Sequence, residues 1–235
     1  MKLNILIILI FILSCTASPT DNEIKDVSIA DTTNTNTEII ETFVDSLNIG
    51  EKGKNKVELI KHSVFDDTYV IVKFYRKATV PNRWYNANTY IVQCNAMQGL
   101  VPNITDFNND NFNDITFISA QAARGANEVR RLFIYDDYER ALISIVNSED
   151  YPNMRYNKEL NCIDAFLFHG GTSTVFARIK GDSLKEFASV HNDSHRKVYE
   201  VDKFGKDKLL RRDKIKPEKV YIRYINYKPL KAYKN

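Results

Sequence analysis

Short runs rich in Val, Ile, Phe and Tyr alternate with turn signals from Lys56 to Tyr224, and this rhythm constrains the fold more than any other feature. Lys56–Lys61, Tyr69–Tyr75 and Asn88–Cys94 read as strands, then Asp114–Ser119, Arg130–Tyr135 and Ala141–Val146. Cys162–His169 and Ser173–Ile179 flank Gly170-Gly171, a two-residue hairpin signal because both glycines accept positive φ. Leu184–Val190, Lys197–Asp202, Lys208–Arg211 and Val220–Tyr224 complete the series. No long segment sustains a 3.6-residue period, so the expectation is all-β. The strands fall into four groups of three, at 56–94, 114–146, 162–190 and 197–224. Antiparallel meanders in a propeller-like arrangement fit that grouping, with a β-sandwich as the alternative. The groups share no sequence repeat that would decide between them. Ile39–Val44 is either a short helix or a lead-in strand.

The chain opens with Met1-Lys2 and an apolar run, Leu3–Leu13. A membrane span needs about 20 apolar residues, so this run suits a signal peptide better. Ile12-Leu13-Ser14-Cys15 resembles a bacterial lipobox, which implies cleavage before Cys15 and lipidation of its sulfur. Several acyl chains anchor stably where one binds only marginally. Thr16 after the cysteine implies, by the same resemblance, the outer membrane. Residues 16–37 are mostly Ser, Thr, Asn and Asp and bury too little to fold. The expected organisation is a signal peptide at 1–14, a lipidated tether at 15–38, a β domain at 39–225 and a disordered basic tail at 226–235.

Asp106–Asp114, with the sequence Asp-Phe-Asn-Asn-Asp-Asn-Phe-Asn-Asp, carries the sharpest chemical signal. Oxygen-bearing side chains stand at Asp106, Asn108 and Asp110, every second residue, and again at Asp114. Calcium takes six to eight oxygens, and a tight loop supplies several at alternating positions plus a backbone carbonyl. Here Asp106, Asn108 and Asp110 would be ligands 1, 3 and 5, the Phe112 carbonyl ligand 7 and Asp114 ligand 9. Position 6, normally glycine, holds Asn111; asparagine is the next-best visitor to left-handed backbone. The competing reading is an ordinary turn rich in Asn and Asp. Three carboxylates with no Lys or Arg inside the loop favour the cation.

Asp-x-Asn-x-Asp-x-x-x-Asp leading into a strand resembles the calcium loop of FG-GAP and VCBS repeats. The continuations Ala123–Glu128 and Arg131–Asp136 are similar to single-loop bacterial lipoproteins of the Bacteroidetes type. The similarity runs from about Leu47 to Lys216, with its sharp motifs between 106 and 136. A distantly similar branch comprises periplasmic inhibitors or immunity lipoproteins directed at lysozyme-like peptidoglycan hydrolases. The resemblance therefore implies an envelope protein that binds a protein partner.

The segment Gln121–Glu128 either presents Arg124, Asn127 and Glu128 to a partner, since arginine is enriched at binding hot spots, or is a connection shaped by Gly125 and Asn127 in which Arg124 pairs with a nearby carboxylate. Trp84, Tyr85 and Tyr90 would make either a sugar-stacking platform or a packed hairpin face. Of three cysteines, Cys94 and Cys162 remain once Cys15 is lipidated, and an exported chain could pair them in a disulfide. His191 and His195 are read as a solvated hairpin tip, and His169 as a residue before a tight turn. No Ser-His-Asp, Cys-His or zinc spacing is recoverable, so the expectation is a non-catalytic protein. Formal net charge is +3, with basic residues gathered from Lys203 to Lys234. An exported chain with no reading element for bases is not expected to bind nucleic acid.

Overall fold

The computed structural model describes residues 37–234, apart from 79 and 81. The lipobox, Cys15 and most of the expected tether lie outside the described residues. Among the described residues no helix is long and apolar enough to cross a membrane.

Among the described residues, sixteen strands form four antiparallel sheets, none of them closed. The first sheet is a meander of β1 (Thr37–Asp45), β2 (Asn55–Val64), β3 (Asp67–Lys77) and β4 (Trp84–Gln93). The second contains β5 (Asn103–Thr105), β6 (Asp114–Ala122), β7 (Asn127–Asp136) and β8 (Ala141–Ser144). The third has six strands: β9 (Arg155–Asn157), β10 (Cys162–Phe168), β11 (Thr172–Lys180), β12 (Ser183–Asn192), β13 (His195–Val201) and β14 (Asp207–Lys214). A final hairpin joins β15 (Tyr224–Tyr227) to β16 (Leu230–Ala232).

Three apolar layers hold these sheets together. Val57, Leu59, Val70, Val72 and Phe74 of the first sheet meet Ile115, Phe117, Phe133 and Tyr135 of the second. Leu132 and Ile134, on the opposite face of β7, meet Ile163, Ala165, Val175 and Ala177 of the third sheet. Phe176, Ala188, Val190 and Val198, on the far face of the third sheet, are covered by Tyr224 and Tyr227 of the hairpin. A sheet covered on both faces has no solvent side, so alternation disappears from its sequence. That is why Asp114 to Ser119 and Thr172 to Ala177 are apolar or small almost without interruption, and nearly all buried. The first sheet has one covered face, and β2 and β3 alternate along their length.

The all-β expectation holds, and its grouping is revised. The segments at 162–190 and 197–224 belong largely to one sheet, because β12 and β13 pair directly across the Asp193-Ser194 turn. Ile39–Val44 lies in β1, a strand. The expected disordered tail at 226–235 is instead folded through Tyr233. Asn157 Nδ2 donates to the Ile225 carbonyl at 2.9 Å, Asn226 Nδ2 to Glu159 at 2.9 Å, and the Tyr227 hydroxyl to Glu200 at 2.9 Å. The aromatics of this segment cover the third core, which outweighs its charge. The expected disulfide is absent: both thiols are free. Cys94 packs at the margin of the first core and Cys162 lies in the third, separated by the intervening sheets. Burial pushes both thiols up, Cys162 to about 12, so both stay protonated.

Candidate metal centre

The loop between β5 and β6 is a nest of backbone N–H groups folded onto two aspartates. Asp106 Oδ1 accepts from the N–H groups of Asn108 at 3.1 Å, Asp110 at 3.3 Å and Asn109, and its Oδ2 accepts from Asn111 at 2.9 Å. Asp110 Oδ1 accepts the Phe112 N–H at 2.8 Å, while its Oδ2 receives Asn108 Nδ2 at 2.8 Å. Such winding requires left-handed backbone, and Asn109 (φ 63°) and Asn111 (φ 73°) supply it. Asn111 therefore performs the turn that glycine would make at loop position 6.

Asp114 closes the loop from beneath. It is fully buried; Oδ2 accepts the Phe107 N–H at 2.7 Å and Oδ1 the Tyr135 N–H at 2.8 Å. Burial pushes its carboxyl up to about 8 against the pull of those two N–H groups, and the Asp110 and Asp106 charges push the same way. A group under that strain gains from a neighbouring cation. The loop is also tied to the β1–β2 connection: the Gly50 N–H donates to the Asn113 carbonyl at 2.8 Å, and Asn113 Nδ2 to the Asn48 carbonyl at 3.0 Å. The Phe112 ring packs edge-on against Tyr135, with centroids 5.3 Å apart.

The donor types in the loop are those a hard cation takes. Asp106, Asn108, Asp110, Asp114 and the Phe112 carbonyl are all oxygen donors within nine residues. An ionised carboxylate has about four lone-pair sites; Asp106 already accepts four N–H groups, whereas Asp110 and Asp114 accept two hydrogen bonds each and keep capacity for an ion. Among the described residues no three His, Cys, Asp or Glu side chains already converge as a preassembled metal shell. The Asn108 amide is bound on both sides to Asp110, its Nδ2 donating to the carboxylate at 2.8 Å and its Oδ1 accepting the Asp110 N–H at 3.2 Å.

The remaining candidates separate. Arg124 is exposed in a 3-10 turn with left-handed backbone (φ 55°), beside Ala123 (φ 49°). Asn127 is not presented outward, because its amide exchanges two hydrogen bonds with the Phe168 backbone, at 3.0 and 2.9 Å, stitching β7 to β10. Glu128 accepts Arg130 Nε at 2.6 Å. Only Arg124 of the three is available to a partner. Tyr90 points inward, its hydroxyl donating to the Leu142 carbonyl at 2.6 Å, so it forms no platform with Trp84.

Several arrangements had escaped the sequence. Lys61 is buried on the inward register of β2, and its Nζ donates to the carbonyls of Asn95 (2.9 Å), Ala96 (3.2 Å) and Gln98. Asp164 is fully buried and held by Arg223, whose Nε donates to it at 2.6 Å, and by the Tyr233 hydroxyl. The Ser173 hydroxyl sits between His169 Nε2 at 2.5 Å and His191 Nδ1 at 2.7 Å, and His191 Nε2 lies 3.0 Å from the Ser189 hydroxyl. Both serines are buried, so this chain of hydrogen bonds joins strands and exposes no nucleophile. Only the inward register of Lys61, in line with Val57 and Leu59, left a trace in the sequence.

No family model matches the chain, and no curated protein matches it. Among solved structures, one described as "Structure of a Xanthomonas Type IV Secretion System related protein" is similar in fold. It is 11% identical, with 74% of this chain and 96% of that chain covered, at a TM-score of 0.46. That likeness is too loose to transfer a function.

Proposed function

We propose that this chain is a non-catalytic, calcium-stabilised envelope lipoprotein whose layered β body presents loops to a partner protein. The observation that supports it most is the Asp106 carboxylate gathering four backbone N–H groups while Asp110 and the buried Asp114 stand beside it. Calcium would supply charge compensation there. Asp106, Asn108, Asp110, the Phe112 carbonyl and Asp114 would hold it. Because the loop is bonded to the β1–β2 connection at Gly50 and to β7 through Asp114, fixing it would hold that connection against the second sheet. A rigid body spends less free energy on ordering when it binds. Arg124, exposed one strand away, is the residue proposed to meet the partner.

Lipid anchoring through Cys15 to the outer membrane is part of the same reading and rests on the lipobox resemblance. The partner implied by resemblance, a lysozyme-like peptidoglycan hydrolase, is the first to test. Purified protein dialysed against calcium should retain about one ion per chain by elemental analysis, and Asp106→Ala should retain none. Crosslinking in the native envelope should capture a protein that Arg124→Ala releases while its melting temperature is unchanged. Retention of no ion by the wild-type chain refutes the metal; capture unaffected by Arg124→Ala refutes the contact.

A further inference from the structure

The two edges of the third sheet are finished differently. Beyond Asp164, where the pairing with β9 ends, β10 is capped by other groups. The Phe166 N–H donates to the Pro152 carbonyl at 3.1 Å, Asn153 Nδ2 donates to the Phe166 carbonyl at 2.8 Å, and the Asn127 amide closes Phe168. β14, at the opposite edge, pairs with β13 and, among the described residues, with no other strand. Six of its eight residues are exposed. The ladder is irregular at Leu210, whose side chain packs on the third core, and regular from Arg211 to Lys214. Alternate N–H and C=O groups of an edge strand point away from its sheet, so β14 offers donors and acceptors at the spacing of another strand.

The charge on this edge selects what can pair with it. Residues 206–216 carry six Lys or Arg against two Asp. Asp213 is taken by Arg196 at 3.0 Å and by Arg211 at 2.5 Å. Lys208 stands opposite Glu200, which accepts the Tyr227 hydroxyl at 2.9 Å. Arg212 and Lys214, two residues apart and so on one face, are exposed opposite Lys197 and His195. Lys197 is paired with Asp193 at 3.2 Å, and among the described residues Arg212 and Lys214 join no ion pair. Basic residues on an edge keep like strands away. A second copy of β14 would set one net-positive strand against another, which is destabilising, whereas a strand of opposite charge gains from the same residues. Phosphates of a nucleic acid or a lipid would meet the charges but carry no amide N–H for the outward carbonyls.

We infer that the β14 edge is a docking surface for an acidic, extended segment of a partner protein, which adds to the six-stranded sheet as a further strand. Main-chain hydrogen bonds to β14 supply the affinity, and carboxylates two residues apart, facing Arg212 and Lys214, supply the selectivity. Neither calcium nor Arg124 enters this inference.

The test is calorimetry in chelator with an octapeptide alternating Glu and Val, its Lys and Val counterpart, and the Glu octapeptide N-methylated throughout. The Glu octapeptide should bind saturably, about tenfold or more tighter than either of the others. Arg212→Glu combined with Lys214→Glu should weaken it about tenfold without lowering the melting temperature, because two attractive cross-strand pairs become repulsive. Arg124→Ala should leave it unchanged, and bound peptide should slow amide hydrogen exchange within 207–214. No saturable binding of the Glu octapeptide overturns the inference. Equal binding of the N-methylated peptide overturns strand addition, and equal binding of the Lys peptide overturns the charge selection. A single-stranded DNA oligomer or phosphatidylglycerol vesicles binding more tightly than the Glu octapeptide overturn the protein partner. A dimer in sedimentation that the double variant dissolves overturns it in favour of a second copy.

Discussion

Asp110→Asn separates the metal from the turn it sits in. In the metal-free protein the substitution is mild. Its oxygen keeps the Phe112 N–H at 2.8 Å, and its amide faces the Asn108 side chain, which restores that bond by a half-turn and gives up only the 3.2 Å bond its Oδ1 accepts from the residue-110 N–H. A net change below about 1 kcal/mol is expected from so little loss. One of three crowded negative charges also goes, which relieves the pressure on buried Asp114. The calcium-loaded protein behaves differently. At calcium one hundred times its dissociation constant, binding stabilises the wild-type fold by about 2.7 kcal/mol. For a domain of this size each kcal/mol moves the melting temperature by about 2–4 °C, so the wild-type shift is about 5–11 °C. Asp110→Asn should melt within about 4 °C of wild type in chelator, yet shift far less at the same calcium concentration. Scanning calorimetry in chelator and in calcium reads both. If wild type does not shift, or Asp110→Asn keeps the whole shift, the loop is an ordinary Asx turn and the argument fails.

Lys61→Met should destabilise the domain by about 3 kcal/mol by urea unfolding, because three loop carbonyls lose their charged donor; wild-type stability would mean water replaces it. Gly171→Ala would place a Cβ 2.3 Å from the Asn192 carbonyl oxygen, backbone against backbone, and should cost several kcal/mol or prevent folding; a stable variant would show that the β11–β12 end yields. His191 is held below its usual value by burial and by His169, so the unfolded chain takes its proton first as pH falls. The neutral ring's contribution is complete above about 6.5 and is lost as pH falls through the depressed folded value. Urea midpoints should drop on acidification, and His191→Gln should flatten that slope; an unchanged slope removes His191 as the cause.

The all-β class was legible from local pattern, because one-face burial writes itself as alternation in β2 and β3. The loop's turn was equally local: Asn109 and Asn111 reach left-handed backbone with their own side chains, and Asp106 bonds within five residues of itself. Sheet membership was not legible. β12 and β13 pair across a turn that looks like any boundary between groups, and only the layers on either side decide that β9–β14 is one sheet. The basic C-terminal segment read as solvated because its charges are local while its gains are remote: Arg223 and Tyr233 meet Asp164 from 59 and 69 positions away. What the sequence by itself determined was the strand chemistry and the loop's winding, since both depend on neighbours along the chain. Tertiary structure alone decided which charges are left over, because an ion pair is formed by proximity in space and residue order does not encode it.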